Sequence, residues 1–143
     1  MVVTQISVFL ENKSGRLAEL TEALAEAGIN IRALSIAETV DYGVLRMIVD
    51  NPDLACERLR QTGFTVTETP VLALEIPDRP GGLAYVIRVL SDAGINVEYV
   101  YAFVGKAEEN AIVVLRLEEI ERAVELLGKR GIMAVPAEKV YRM

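Results

Sequence analysis

Apolar and polar residues alternate along residues 2–10. Thr4, Ile6, Val8 and Leu10 fall on one side, and Gln5 and Ser7 are among those on the other, a period of two that predicts a β-strand. After a polar loop around Gly15 the period changes. Leu17, Leu20, Leu24 and Ala27 follow at steps of 3, 4 and 3, while Glu19, Glu22 and Glu26 hold the far side, which predicts an amphipathic helix. Gly28 follows directly as its stop. Two strands are predicted over residues 31–39 and 43–49, joined as a hairpin. Asn51 and Pro52, a capping residue followed by proline at the first helical position, open a second helix to about residue 62, and a short strand over residues 64–67 closes the series.

The same series then runs again. Residues 11–18 align with 77–84 at an offset of 66, and residues 27–31 fall on 93–97 at the same offset. Residues 45–48 match 112–115 at offset 67, and Ala55, Leu59 and Gly63 match Ala123, Leu127 and Gly131 at offset 68. The second half therefore predicts a strand over 71–76, a helix carrying Leu83, Val86, Leu90 and Ala93 that stops at Gly94, strands over 97–104 and 111–117, and a helix over 118–129. A closing strand is expected within 133–141, where Pro136 weighs against it. The halves divide near Thr69 and Pro70, so two domains are expected, residues 1–69 and 70–143. The order βαββαβ, twice, is that of the ferredoxin-like motif, an α+β class. A half of about 70 residues has a thin core, so the two are expected to pack as a pseudo-twofold pair.

Composition narrows the chemistry. The 143 residues are 52% hydrophobic and 25% charged, the balance of a folded chain. No uncharged stretch exceeds ten residues, too short for a membrane helix, and the first residues do not read as a signal peptide, so a cytoplasmic location is expected. The net charge of −6 has the wrong sign for neutralising phosphates, which makes nucleic acid an unfavourable partner. Histidine is absent, removing the commonest general base and metal ligand. The lone Cys56 can form neither an internal disulfide nor a thiolate cluster and reads as core packing. No metal or cofactor is expected.

Candidate chemistry sits in the loop after each half's first strand. Asn12, Lys13, Ser14, Gly15, Arg16 and Leu17 form a short polar segment leading into a helix, where free backbone N–H groups suit a carboxylate. Asp78, Arg79, Pro80, Gly81, Gly82 and Leu83 repeat it, with Pro80 stiffening the turn and two glycines allowing close approach. Each loop taken alone also reads as an ordinary helix entry. Asn30, followed by Ile31, recurs as Asn96, followed by Val97, although Gly28 and Gly94 already stop the helices. A small zwitterion suits such a constellation: its carboxylate on loop amides, its ammonium on Asn30 or Asn96 and on the Asn12 or Asp78 oxygens.

The Asn-x-x-Gly-x-Leu loop, the amphipathic helix and the Gly-Ile-Asn-Ile turn resemble the ACT domain, the amino-acid-sensing module of metabolic enzymes. The resemblance covers both halves and implies a free-standing tandem ACT protein. In that family an Asx in the first loop and an Asn opening the second strand contact the effector across a domain pair. Asn12 with Asn30, and Asp78 with Asn96, stand at those positions, each pair 18 residues apart. The resemblance implies a non-catalytic regulatory protein that binds a free amino acid at the interface between its two domains, with a metabolic enzyme as the regulated partner. Two other readings stay open on the same topology. One is a small acylphosphatase-like enzyme, although no Gly-x-Val-x-Gly pattern occurs. The other is a structural or RNA-interaction module using Tyr99, Tyr101 and Phe103, which alternate along one strand. Because Val100, Ala102 and Val104 make that strand's other face apolar too, a covering partner is expected, and with it a homodimer. Glu108 and Glu109 read as a solvated acidic turn.

Overall fold

The computed structural model describes residues 2–103 and 110–143. Val104, Glu108 and Glu109 lie outside the described residues. The element order is β1 (Val3–Glu11), α1 (Arg16–Glu26), β2 (Ile31–Glu38), β3 (Tyr42–Val49), α2 (Pro52–Gln61), β4 (Thr65–Pro77), α3 (Gly82–Asp92), β5 (Val97–Ala102), β6 (Asn110–Leu117), α4 (Ile120–Gly128) and α5 (Ala137–Arg142). The βαββαβ pattern is therefore present twice, in an α+β, ferredoxin-like architecture. The chain forms two compact units, one of Thr4–Thr69 with Tyr141–Met143, the other of Pro70–Val140 with Val2 and Val3.

In the first unit the strands run in the order β2-β3-β1-β4, with β1 antiparallel to β3 from Ile6↔Met47 to Glu11↔Tyr42. Alternation puts Ile6, Val8 and Leu10 of β1 and Leu45, Met47 and Val49 of β3 into one core with Leu20 and Leu24 of α1 and Ala55, Cys56 and Leu59 of α2. Asn51 caps α2, its Oδ1 accepting from Leu54 N at 3.2 Å, and Pro52 follows at the first turn. Gly28 ends α1 at φ +73°, with Ile29 N donating to Leu24 O at 2.9 Å. The polar side of β1 is also enclosed: Gln5 is fully buried, and its Nε2 donates to Ser7 Oγ at 3.0 Å. Tyr141 docks here too, its hydroxyl accepting from Thr4 N at 2.9 Å and its carbonyl from Arg32 Nη2 at 3.2 Å.

In the second unit β4 pairs with β6 and β6 with β5, both antiparallel. Leu72, Leu74 and Ile76 pack with Leu115 and Leu117 and with Val86 and Leu90 of α3 and Ala123 and Leu127 of α4. Tyr99 and Tyr101 lie on the strand face away from this core, their rings stacked with centroids 6.4 Å apart.

Two expectations need correction. The strand over 64–67 and the strand over 71–76 are one continuous strand, β4, whose residues up to Thr69 belong to the first unit and from Pro70 on to the second. Pro70 stands at this boundary, and its carbonyl accepts from Arg116 Nη1 at 3.0 Å. The closing strand within 133–141 shrinks to one bridge, Leu74↔Ala134, flanked by Val135 N donating to Ala73 O at 2.8 Å. Pro136 then ends the ladder and starts α5, its carbonyl accepting from Lys139 N and Val140 N, each at 3.0 Å. No helix among the described residues is long and apolar enough to cross a membrane.

Candidate functional site

The first loop is a tight turn tied to the β2–β3 hairpin. Asn12 N donates to Asp41 O at 2.9 Å and Asn12 Nδ2 to Val40 O at 3.2 Å, so the carboxamide is oriented with Oδ1 left as an acceptor. Lys13 N and Arg16 N fold the turn onto Glu11 O and Lys13 O, and Gly15 takes the left-handed conformation, φ +92°, at the helix N-cap. No side chain caps α1, and Ser14 and Gly15 donate to no backbone carbonyl among the described residues. The helix start thus keeps free N–H groups and its positive end.

The loop borders a pocket of about 150 Å³ formed within the first unit. Leu10, Leu17, Ile36 and Gly43 make its floor and walls, and Glu11, Asn12, Lys13 and Glu38 its rim. Leu17, on the core face by periodicity, instead stays 40% exposed beside Ile36 at 42%. Lys13 Nζ lies 3.4 Å from Glu11 Oε2, and Glu38 has no ion-pair partner among the described residues. Gly43 is close-packed: a Cβ there would stand 3.1 Å from Ile36 Cγ2.

Arg16 turns inward. Its guanidinium lies over the Phe64 ring, 4.4 Å from the centroid, with Nη1 2.6 Å from Glu19 Oε2, so it pins the start of α1 to the chain segment entering β4.

The second loop has the same build. Gly81 caps α3 at φ +88°, and Arg79 N and Gly82 N donate to Pro77 O and Arg79 O, each at 3.0 Å. Gly82 packs so closely that a Cβ would overlap the Pro77 carbonyl oxygen.

Asn30 and Asn96 lie at the other end of each sheet. Glu11 pairs with Tyr42 at the start of β3 and Ile31 with Val49 at its end, seven residues along the strand and roughly 23 Å at about 3.3 Å per residue. In the second unit Pro77 pairs with Asn110 and Val97 with Leu117, again seven residues apart. Within one unit, then, the structure brings Asn12, Lys13 and Leu17 together but keeps Asn30 and Ile31 apart from them; likewise Asp78 through Leu83 stand apart from Asn96 and Val97. All positive φ values among the described residues belong to glycines, so neither Asn serves as a left-handed helix stop. Asn30 is instead held by Asp50, whose Oδ1 accepts from Asn30 N at 3.0 Å.

Sequence reasoning missed Asp50, Ile36, Glu38 and Gly43. A glycine inside a strand pattern was the one signal available, since it marks close backbone approach.

A family model describing an ACT domain pair matches residues 1–143. The chain belongs to this family. The ACT domain pair is 42% identical to a Bacteroides thetaiotaomicron protein of known crystal structure, covering 100% of this chain and 98% of that one with a TM-score of 0.93. It also resembles the regulatory subunit of aspartate kinase from Thermus thermophilus, at 20% identity over 88% of this chain and 91% of that one, TM-score 0.68. The corresponding subunit from Thermus flavus is 18% identical, covering 88% and 90%, TM-score 0.62. The last two likenesses show a shared fold. No curated protein matches the sequence. Among the described residues no group of His, Cys, Asp and Glu could hold a metal ion.

Proposed function

We propose that this ACT domain pair is a non-catalytic regulatory protein of the cytoplasm that binds a free amino acid between ACT domains and passes its ligand state to a metabolic enzyme. The observation that carries the reading is the doubled pairing of a loop Asx with a strand-opening Asn, Asn12 with Asn30 and Asp78 with Asn96. Because the two members of each pair stand at opposite ends of their own sheet, one small ligand cannot touch both within a unit. It would be held by the loop of one ACT unit and the Asn of another. Loop amides of residues 13–17 and 79–83 take the carboxylate, and the Asx and Asn oxygens take the ammonium.

A homodimer is part of the same proposal. Within their own units β2 and β5 each have a single strand neighbour, and Leu34 and Ile36 of β2 and Val100 of β5 are exposed along these edges. A second copy covering such an edge would bring its own half-sites with it. The regulatory role also agrees with the fold shared with the aspartate kinase regulatory subunits.

The test is a thermal-shift and calorimetric screen of the full chain against the free amino acids. A ligand at 100 times its Kd adds about 2.7 kcal/mol of stability. Asn12→Ala and Asn30→Ala should each weaken binding by about 1.5–3 kcal/mol, the worth of a hydrogen bond to a charged group. Stabilisation by no amino acid at about 10 mM, where even millimolar affinity would register, would refute the reading.

A further inference from the structure

The pocket beside the Asn12 loop has two unlike sides. One is aliphatic: Leu10 is nearly buried, while Leu17 and Ile36 keep apolar surface in water at the mouth. The other accepts hydrogen bonds. Asn12 uses its Nδ2 on Val40 O and leaves Oδ1 free, and Glu38 presents a carboxylate without an ion-pair partner among the described residues. The one cation on the rim, Lys13, is already drawn to Glu11 at 3.4 Å. A group meeting Asn12 Oδ1 and Glu38 must donate and is best charged positive, as an ammonium is. A polar side chain on the ligand would leave its hydroxyl, amide or charge against Leu10, Leu17 and Ile36 without a partner.

Resting on the amino-acid-binding reading above, we propose that this pocket selects a free amino acid with an aliphatic side chain, such as valine, leucine or isoleucine. Leu17 and Ile36 are its specificity-determining contacts. Glu38 and Asn12 Oδ1 receive the ammonium, and the Ser14 and Gly15 N–H groups the carboxylate.

The second unit does not repeat this wall. Ile36 pairs with Leu45 in β3, and the position with the equivalent pairing in the second unit is Ala102, which pairs with Val113. The aliphatic preference thus belongs to the first unit, where burying a branched side chain against Ile36 gains the most.

Calorimetric titration of the full chain with individual amino acids tests this. Valine, leucine or isoleucine should bind at least about 10-fold tighter than serine or aspartate, and valine about 10- to 100-fold tighter than threonine, the range an apolar pocket achieves against an isosteric hydroxyl. Leu17→Ser and Ile36→Ser should each lower the affinity for the best aliphatic ligand about 10-fold or more, whereas the same change at exposed Met133, outside both loops, should leave it unchanged. Circular dichroism on the same variants shows whether they fold, which their exposed positions favour. A polar or charged amino acid as the tightest ligand would overturn this inference and leave the amino-acid-binding reading standing. So would an aliphatic ligand whose affinity ignores both Leu17→Ser and Ile36→Ser. Binding of none of the amino acids overturns both.

Discussion

Asn30 and Asp50 hold each other at the open end of the first unit's sheet: Asn30 N donates to Asp50 Oδ1 at 3.0 Å, and Asp50 N donates to Asn30 O at 3.1 Å. The backbone half of the exchange extends the β2–β3 ladder by one residue beyond Ile31↔Val49, and the side-chain half fixes the backbone that carries the Asn30 carboxamide. On the amino-acid-binding reading proposed above, Asp50 is a positioning residue for Asn30.

Asp50→Ala should cost about 0.5–1.5 kcal/mol of stability, the net worth of one hydrogen bond, and should weaken amino-acid binding by less than Asn30→Ala does. Asp50→Asn keeps the acceptor oxygen and should restore both. Urea unfolding and calorimetry on the three variants check this; equal loss of binding in Asp50→Ala and Asp50→Asn would show that charge, not positioning, is what matters.

Gly82 stands where α3 leaves its loop, and the overlap of any Cβ with the Pro77 carbonyl oxygen involves backbone that cannot swing aside. Gly82→Ala should destabilise the second unit by about 1–3 kcal/mol. Gly128, the last residue of α4, has open space around it and no positive φ, so Gly128→Ala should stabilise by roughly 0.5–1 kcal/mol through the unfolded chain's lost freedom. Melting curves of the two variants should move in opposite directions. Arg16, the counterpart of Gly82 in the first half, shows that this close approach is peculiar to the second loop.

Burial pushes the Cys56 thiol up from 9.0 to about 11, helped by its hydrogen bond to Glu68 Oε1 at 3.3 Å and by the Glu68 charge. A thiol whose pKa is higher in the folded than in the unfolded chain contributes stability in full below about pH 9, and that contribution is lost as the pH rises towards 11. Alkylation of the native protein should be slow at about pH 8, faster by orders of magnitude once urea unfolds it, and native reactivity should climb only as the pH approaches the raised value. Glu68→Gln should bring that rise to lower pH. Mass spectrometry of timed alkylation reads both effects.

Much of this protein is local, and local features are legible in order along the chain. The change from a period of two to steps of 3, 4 and 3 marks where β1 gives way to α1, because backbone geometry sets both periods whatever surrounds them. Asn51 and Pro52 start α2, and Gly28 and Gly94 stop α1 and α3, because capping is settled within a few residues. The repeat then makes each weak signal count twice, which is how the Asx loops and the two Asn residues stand out from ordinary helix entries.

Tertiary structure decided what depends on partners distant in sequence. Nothing near Thr69 and Pro70 says that two predicted strands are one; β4 is continuous because it has a strand neighbour on each side, β1 and β6, both distant in sequence. Pro136 yields a single bridge and then a helix because the ladder it would have joined needs an N–H it lacks. The pocket is the same case: Ile36, Glu38 and Gly43 reach the Asn12 loop only because antiparallel register returns the β2–β3 hairpin to the end of β1, which also leaves Leu17 at the mouth of a cleft and not in the core. Register is set by the whole sheet's burial, and no window along the chain contains it.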